Sequence, residues 1–383
     1  MYIVADENIP FVAEGFAGLG EVRTMPGRDM GPADVRDADI LLVRSITKVG
    51  KPLLDGSKVR FVATATIGED HIDRSYLASR DIGFSSAPGS NANSVSEYVA
   101  AALLNLACKF GFSLKGKTLG IIGVGNVGSR VLDKARALGM RCVLNDPPLA
   151  RRTADERYKS IDEILNCDIV TVHVPLTTDG LNPTRHLVDD KFLADIRSGA
   201  ILINTSRGSV ADGESIKRAL DVGRLGGCVL DVWENEPAID PELVNRTDIG
   251  TPHIAGYSFD GKVNGTRMIY EAACSFFGIE PVWNSAKLMP EPECTEITVA
   301  ADTASDEHIM NETVRRVYDI TRDDTALRKT MGMPIDTRAA AFDMLRKQYP
   351  RRREFYNTRV VVSPPNTELE RKLSGLGFQT QPV

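Results

Sequence analysis

At 383 residues the chain is too long for one ordinary core, so two or three domains are expected, and 42% hydrophobic with 26% charged residues is the composition of a soluble globular protein. A formal net charge of −6 argues against a general nucleic-acid binder, and Arg351 to Arg353 read as a solvated face rather than a phosphate patch. No basic segment leads into an apolar one at the start and no run approaches membrane-spanning length, so a cytoplasmic protein is expected, its six scattered cysteines (Cys108, Cys142, Cys167, Cys228, Cys274, Cys294) being reduced thiols rather than disulfides or metal ligands.

Residues 1–93 carry short apolar runs at 2–5, 40–43, 59–63 and 82–85, separated by polar or helical stretches, which predicts a small α/β domain. Two loops follow strand-like runs, Arg44-Ser45-Ile46-Thr47-Lys48 and Thr64-Ala65-Thr66-Ile67-Gly68. Ligands of open α/β sheets sit outside strand C-termini, so these loops are candidate substrate contacts. Ser94-Val-Ser-Glu97 has the capping-box form, and Val95, Val99, Leu103 and Leu106 continue it as a long helix to Gly111.

The stretch from Lys117 to Asp146 is the most informative. Thr118 to Ile122 suits a buried strand, Gly123, Gly125 and Gly128 complete G-x-G-x-x-G, and Val127, Val131, Leu132, Ala135 and Leu138 recur at helical spacing. Gly123 allows the tight turn, Gly125 leaves the backbone open to a pyrophosphate, and Gly128 lets helix and strand approach closely. Asp146 ends the next apolar run, where a carboxylate accepts from an adenosine ribose and repels a 2′-phosphate, so NAD is favoured over NADP. Strand-like runs recur at 169–174, 200–204 and 228–232, each after a helix, which implies a doubly wound parallel sheet ending near Gly250. A helix is expected from Thr266 to Phe277, then a linker marked by Pro281, Pro290 and Pro292, then strand and helix material for a further domain.

Three motifs place ionisable residues just after strand-like runs: Asn204-Thr-Ser-Arg207-Gly, Asp231-Val-Trp-Glu-Asn-Glu236-Pro and Thr251-Pro-His253-Ile-Ala-Gly256-Tyr257. Each lies on the strand edge where a nicotinamide would end. With the glycine fingerprint and His173-Val174-Pro175-Leu176, they resemble the D-isomer-specific 2-hydroxyacid dehydrogenase family over roughly residues 1 to 285. A 2-hydroxy acid loses its hydroxyl proton as its hydride leaves, and a neutral His253 can take that proton, Glu236 can orient the ring, and Arg207 can hold the substrate carboxylate. The resemblance implies the same three catalytic residues, and adds Asn126, Val127, Asp146, Val174, Thr205, Ser206, Arg207, Asp231 and Gly256 beside the glycines as NAD contacts. It also implies a Rossmann-like NAD-binding domain at 94–255, a flavodoxin-like substrate domain split into 1–93 and 256–286, and a C-terminal domain at 287–383.

Two departures from commoner members narrow the branch: the loop Thr64-Ala-Thr66-Ile-Gly68 replaces a Gly-x-Gly form, and a C-terminal region follows with Val317 to Asp324, Phe342 to Pro350 and Arg351 to Phe355. These are similar to a branch acting on a phosphorylated four-carbon acid, whose small α+β C-terminal domain makes a homodimer. The resemblance then points to Ser45, Thr66 and Tyr257 as substrate contacts, and the need for a phosphate donor far from Arg207 adds Arg44. His71, His186 and His308 match no family motif and are read as structural. A shorter phosphorylated acid, 3-phosphoglycerate, and an NAD-sensing interaction protein remain as alternatives, and neither a membrane nor a nucleic acid is expected as partner.

Overall fold

The computed structural model describes residues 1–380, and the chain divides into two compact units, Met1–Asn91 with Ser258–Glu291, and Ala92–Tyr257 with Pro292–Val383. In the first, β1 (Tyr2–Asp6), β2 (Glu21–Met25), β3 (Ile40–Val43), β4 (Phe61–Thr64) and β5 (Gly83–Ser85) form one parallel sheet in the flavodoxin-like order β2-β1-β3-β4-β5. Every residue of β3 and β4 is buried, as a parallel sheet covered on both faces requires. Sequence periodicity misses β2, because this edge strand is mostly exposed and alternates no apolar face. The chain returns to this unit as the helix Phe259–Phe277, seven residues earlier than the expected start at Thr266: Ser258 caps it by accepting from the Gly261 amide at 2.8 Å. Its Ile269, Tyr270, Ala273 and Cys274 join the core under β1, β3 and β4.

In the second unit β6 (Thr118–Ile122), β7 (Arg141–Asn145), β8 (Ile169–Val172), β9 (Ala200–Asn204), β10 (Leu225–Leu230) and β11 (Ile249–Gly250) form a parallel, doubly wound Rossmann-like sheet in the order β11-β10-β9-β8-β6-β7. The winding reverses between β6 and β8, the place where such sheets open a crevice for a ligand. From Pro292 on, β12 (Glu296–Ala300) and β13 (Arg359–Ser363) pair in parallel. Around them stand the helices Asp306–Val317, Ile320–Arg328, Ile335–Lys347 and Thr367–Leu376. Ile309, Met310, Val314, Phe355, Leu369 and Leu373 share one apolar cluster with Val99 and Leu103 of the long helix Ala92–Phe110 and with Val131 of the glycine-loop helix. Each such fully buried side chain contributes about 1.5–3 kcal/mol, so this C-terminal region is held by a common core.

Two expectations are corrected here. The helix Ala92–Phe110 begins before Ser94, so Ser94 and Glu97 form no capping box. Instead the Ser94 hydroxyl donates to Glu354 Oε1 at 2.6 Å, and Glu97 Oε1 accepts from the Phe355 amide at 2.8 Å. Arg352 and Arg353 are buried rather than solvated, Arg352 lying 3.6 Å from Glu97 Oε2 and 4.2 Å over the Tyr318 ring. Burial, together with the facing Glu354, pushes the Glu97 carboxyl up to about 8 against the pull of Arg352 and Lys134. Lys134, on the glycine-loop helix, donates to the Leu376 carbonyl at 2.7 Å. A polar network thus fastens the C-terminal region to both helices. Among the described residues no helix is long and apolar enough to cross a membrane, and all six cysteines are free.

Candidate functional site

The glycine loop closes directly onto β8. Gly123 stands at φ 84 against the His173 carbonyl, and a Cβ on Gly128 would strike the Gly123 carbonyl, so both positions require glycine. Gly125 is exposed with open space beside it, and Asn126 and the half-buried Val127 start the helix Asn126–Ala137. A diphosphate can therefore reach the backbone amides at this helix N-terminus. Asp146 ties the loop down: Oδ2 accepts from the Val124 amide at 2.8 Å and Oδ1 from the Leu149 amide at 2.9 Å. Each oxygen keeps a lone pair for a ribose hydroxyl. These residues fit a dinucleotide.

The remaining groups come from the C-terminal ends of neighbouring strands. After β8, burial pushes the His173 imidazole down to about 3, so the ring is neutral, held between the Thr171 hydroxyl at 2.9 Å and the Thr205 hydroxyl at 3.2 Å. Val174 follows it, half-buried. After β9, Asn204 Oδ1 accepts from the Ser206 amide at 3.0 Å and hydroxyl at 2.8 Å, while Asn204 Nδ2 donates to the Arg207 carbonyl at 3.0 Å. That fixes the turn bearing the half-buried Arg207, whose Nη1 donates to the Ser206 carbonyl at 2.8 Å. A Cβ on Gly208 would strike the Trp233 carbonyl, so this turn lies against the segment that follows β10.

That segment carries Asp231 and Glu236. Asp231, 1% exposed, spends both oxygens on the next loop: Oδ1 accepts from the Thr251 hydroxyl at 2.6 Å and the Ile254 amide at 2.7 Å, Oδ2 from the Ala255 amide at 2.9 Å. Burial raises its carboxyl, against the His253 charge and these hydrogen bonds. The loop it holds puts His253 at φ 57, with the His253 amide donating to the Asp231 carbonyl at 2.7 Å. A left-handed backbone at a residue with a Cβ costs about 1–3 kcal/mol and persists only where its surroundings enforce it. The ring is aimed by Glu236, whose Oε2 lies 2.7 Å from His253 Nδ1 while Oε1 accepts from the Trp233 amide at 2.8 Å. Burial acts to raise the Glu236 carboxyl, but the His253 charge and hydrogen bond, the Trp233 amide and Arg346 outweigh it and hold the carboxyl below its ordinary range. An ionised acceptor at Nδ1 leaves Nε2 as the free ring nitrogen.

Gly256 is half-buried at the end of this loop, and the half-buried Tyr257 packs edge-on against Tyr349 at 5.7 Å. Arg207, Glu236, His253, Asp231 and Tyr257 thus belong to one unit, whereas Ser45, Thr66 and Arg44 lie on the loops after β3 and β4 of the other. Ser45 is exposed, the Thr66 hydroxyl is 2.7 Å from that of Thr64, which in turn meets His71 Nε2 at 3.1 Å, and Arg44 Nε lies 3.1 Å from the buried Asp6 carboxylate. His186 Nε2 pairs with Glu234 Oε1 at 2.8 Å on the segment leading to Glu236. Sequence reasoning does not find Arg346, since nothing local to the helix Ile335–Lys347 sets it apart from its neighbouring charges.

A doubly wound sheet with this glycine loop and a paired histidine and glutamate on adjacent strand edges defines a dehydrogenase of hydroxy acids, and residues 95–255 match the family described as D-isomer specific 2-hydroxyacid dehydrogenase, NAD binding domain. Residues 288–377 match a Domain of unknown function (DUF3410). An erythronate-4-phosphate dehydrogenase of Salinibacter ruber is 47% identical over 361 residues, 92% of each chain. One of Chromohalobacter salexigens is 44% identical over 385 residues, 100% of this chain and 99% of its own. Among solved structures, a D-lactate dehydrogenase from Aquifex aeolicus complexed with NAD and lactic acid is 25% identical with a TM-score of 0.58, covering 73% of this chain and 96% of that one. The chain belongs to the erythronate-4-phosphate dehydrogenase family of NAD-dependent oxidoreductases.

Proposed function

We propose that the protein oxidises 4-phospho-D-erythronate to (R)-3-hydroxy-2-oxo-4-phosphooxybutanoate with NAD, a step of pyridoxal phosphate biosynthesis. The observation that carries the chemistry is the 2.7 Å pair between His253 Nδ1 and Glu236 on the strand edge next to the Arg207 turn. When bound on the glycine loop, NAD supplies the acceptor for the C2 hydride. His253 Nε2 takes the C2 hydroxyl proton, and the ionised Glu236 favours the imidazolium that results. Arg207 grips the substrate carboxylate and polarises the C2 oxygen. Thr205, Ser206, Val174, Asp231 and Gly256 flank the reacting end of the cofactor, and Asp146 selects its ribose. Ser45, Thr66 and Tyr257 contact the substrate.

The three-domain division at 1–93 with 256–286, 94–255 and 287–383 belongs to this reading, as do a cytoplasmic location and a homodimer made through the C-terminal domain. Sedimentation of the full chain tests the dimer, and a monomer at working concentration removes it. The activity is tested by NADH formation with 4-phospho-D-erythronate, erythronate and 3-phosphoglycerate. Preference for the phosphorylated four-carbon acid is expected. Faster turnover of 3-phosphoglycerate overturns the substrate, and silence with every acid overturns the enzyme in favour of an NAD-sensing role.

A further inference from the structure

The helix Ile335–Lys347 lies in the C-terminal region, yet its last turn delivers Arg346 to the loop that carries the catalytic histidine. The guanidinium carbon is 5.8 Å from the centroid of the Tyr257 ring, and Tyr257 follows His253 by four residues. The same guanidinium acts on Glu236, helping to hold that carboxyl ionised. Among the described residues no carboxylate forms an ion pair with Arg346, and its buried Nε has no hydrogen-bond acceptor. A half-buried guanidinium with an idle donor is an unfavourable arrangement unless an anion completes it. Arg44, the arginine that sequence reasoning put forward, shares the unbonded Nε but not the missing counter-charge, because the Asp6 carboxylate already lies 3.1 Å from it as an ion-pair partner.

We propose that Arg346 binds the C4 phosphate of the substrate, which makes the C-terminal region part of the substrate site. The inference rests on the substrate reading given above and extends it. With the carboxylate on Arg207 and the C2 hydroxyl at His253, the chain of a four-carbon acid has two carbons left to carry its phosphate past the histidine. Tyr257 flanks that path, and Arg346 stands over its ring. The planar fork of arginine matches a phosphate with two parallel hydrogen bonds. An arginine that merely braced Tyr257 would serve phosphorylated and unphosphorylated acids alike.

The test uses the full chain carrying Arg346→Ala, Arg346→Gln or Arg346→Lys, assayed with 4-phospho-D-erythronate and with erythronate, and with inorganic phosphate as inhibitor. In Arg346→Ala the ratio of kcat/KM for the phosphorylated over the unphosphorylated acid falls by about 30-fold, mostly through KM, as expected for a lost hydrogen-bonded charge pair. Arg346→Lys recovers part of the ratio, and the inhibition constant of inorganic phosphate rises in parallel. Equal losses with both acids, or an unchanged ratio, overturn the proposal. Should Arg346→Ala fail to fold, Arg346→Gln keeps the length without the charge and must show the same fall. A wild-type protein that does not prefer the phosphorylated acid overturns the substrate reading; phosphate inhibition then decides for Arg346 separately, and an unchanged inhibition constant rejects it.

Discussion

Replacing Glu236 with glutamine keeps the side chain's size and removes its charge, and its effect follows from the geometry. Glu236 Oε2 lies 2.7 Å from His253 Nδ1, with the two side chains 19% and 32% exposed. A hydrogen bond to a charged group is worth about 1.5–3 kcal/mol, and partial exposure screens this pair toward the lower figure. About 1.5–2 kcal/mol lost from the transition state lowers kcat by roughly 10- to 30-fold. Steady-state NADH formation at saturating NAD and hydroxy acid reads the loss. A kcat within twofold of wild type would refute the pairing as a source of transition-state stabilisation.

Arg207→Lys retains the charge but not the bidentate fork, so KM for the hydroxy acid rises about 10-fold or more while NAD affinity, read by fluorescence quenching, falls far less, because a backbone contact of residue 207 to NAD survives the substitution; an equal loss of NAD affinity would place the Arg207 side chain elsewhere. Asp146→Ser removes the carboxylate that accepts from Val124 while leaving a hydroxyl that can still cap the helix at Leu149, and it narrows the preference for NAD over NADP in kcat/KM; an unchanged preference rejects the ribose role. Burial lowers the His173 imidazole from an ordinary 6.5 to about 3, so on acidification the unfolded chain takes up a proton that the folded one refuses. Stability therefore falls as pH drops below about 6.5, by on the order of 3 kcal/mol near pH 4, and His173→Asn flattens that slope in urea titrations; identical slopes in both proteins would contradict it.

The strands that sequence reveals most plainly are those buried on both faces. The runs at β3, β6, β8 and β9 are continuous because both faces of a parallel sheet are covered, whereas β2 is a polar edge and β11 has only two residues. The misplaced helix start at Ser94 and the supposedly solvated Arg352 have one physical origin. Ser94 and Glu97 carry residue types that cap helices locally, but their partners, Glu354 and Phe355, come from the far end of the chain. No local pattern distinguishes a serine that caps its own helix from one that donates to a distant segment.

The site divides along the same line. Arg207, Glu236 and His253 are legible because a doubly wound sheet gathers the loops after its strands onto one edge, so three short motifs after three adjacent strands share a place even though they are far apart in sequence. What the motifs do not convey is how the groups are aimed. Asp231, expected beside the nicotinamide, uses both carboxylate oxygens to organise the loop from Thr251 to Ala255, and its backbone carbonyl anchors the His253 amide. Those bonds enforce the left-handed backbone at His253, and the Glu236 carboxylate then settles which ring nitrogen is free. The imidazole is therefore oriented by the fold before any substrate arrives, and in the proposed reaction it needs no rearrangement to accept a proton.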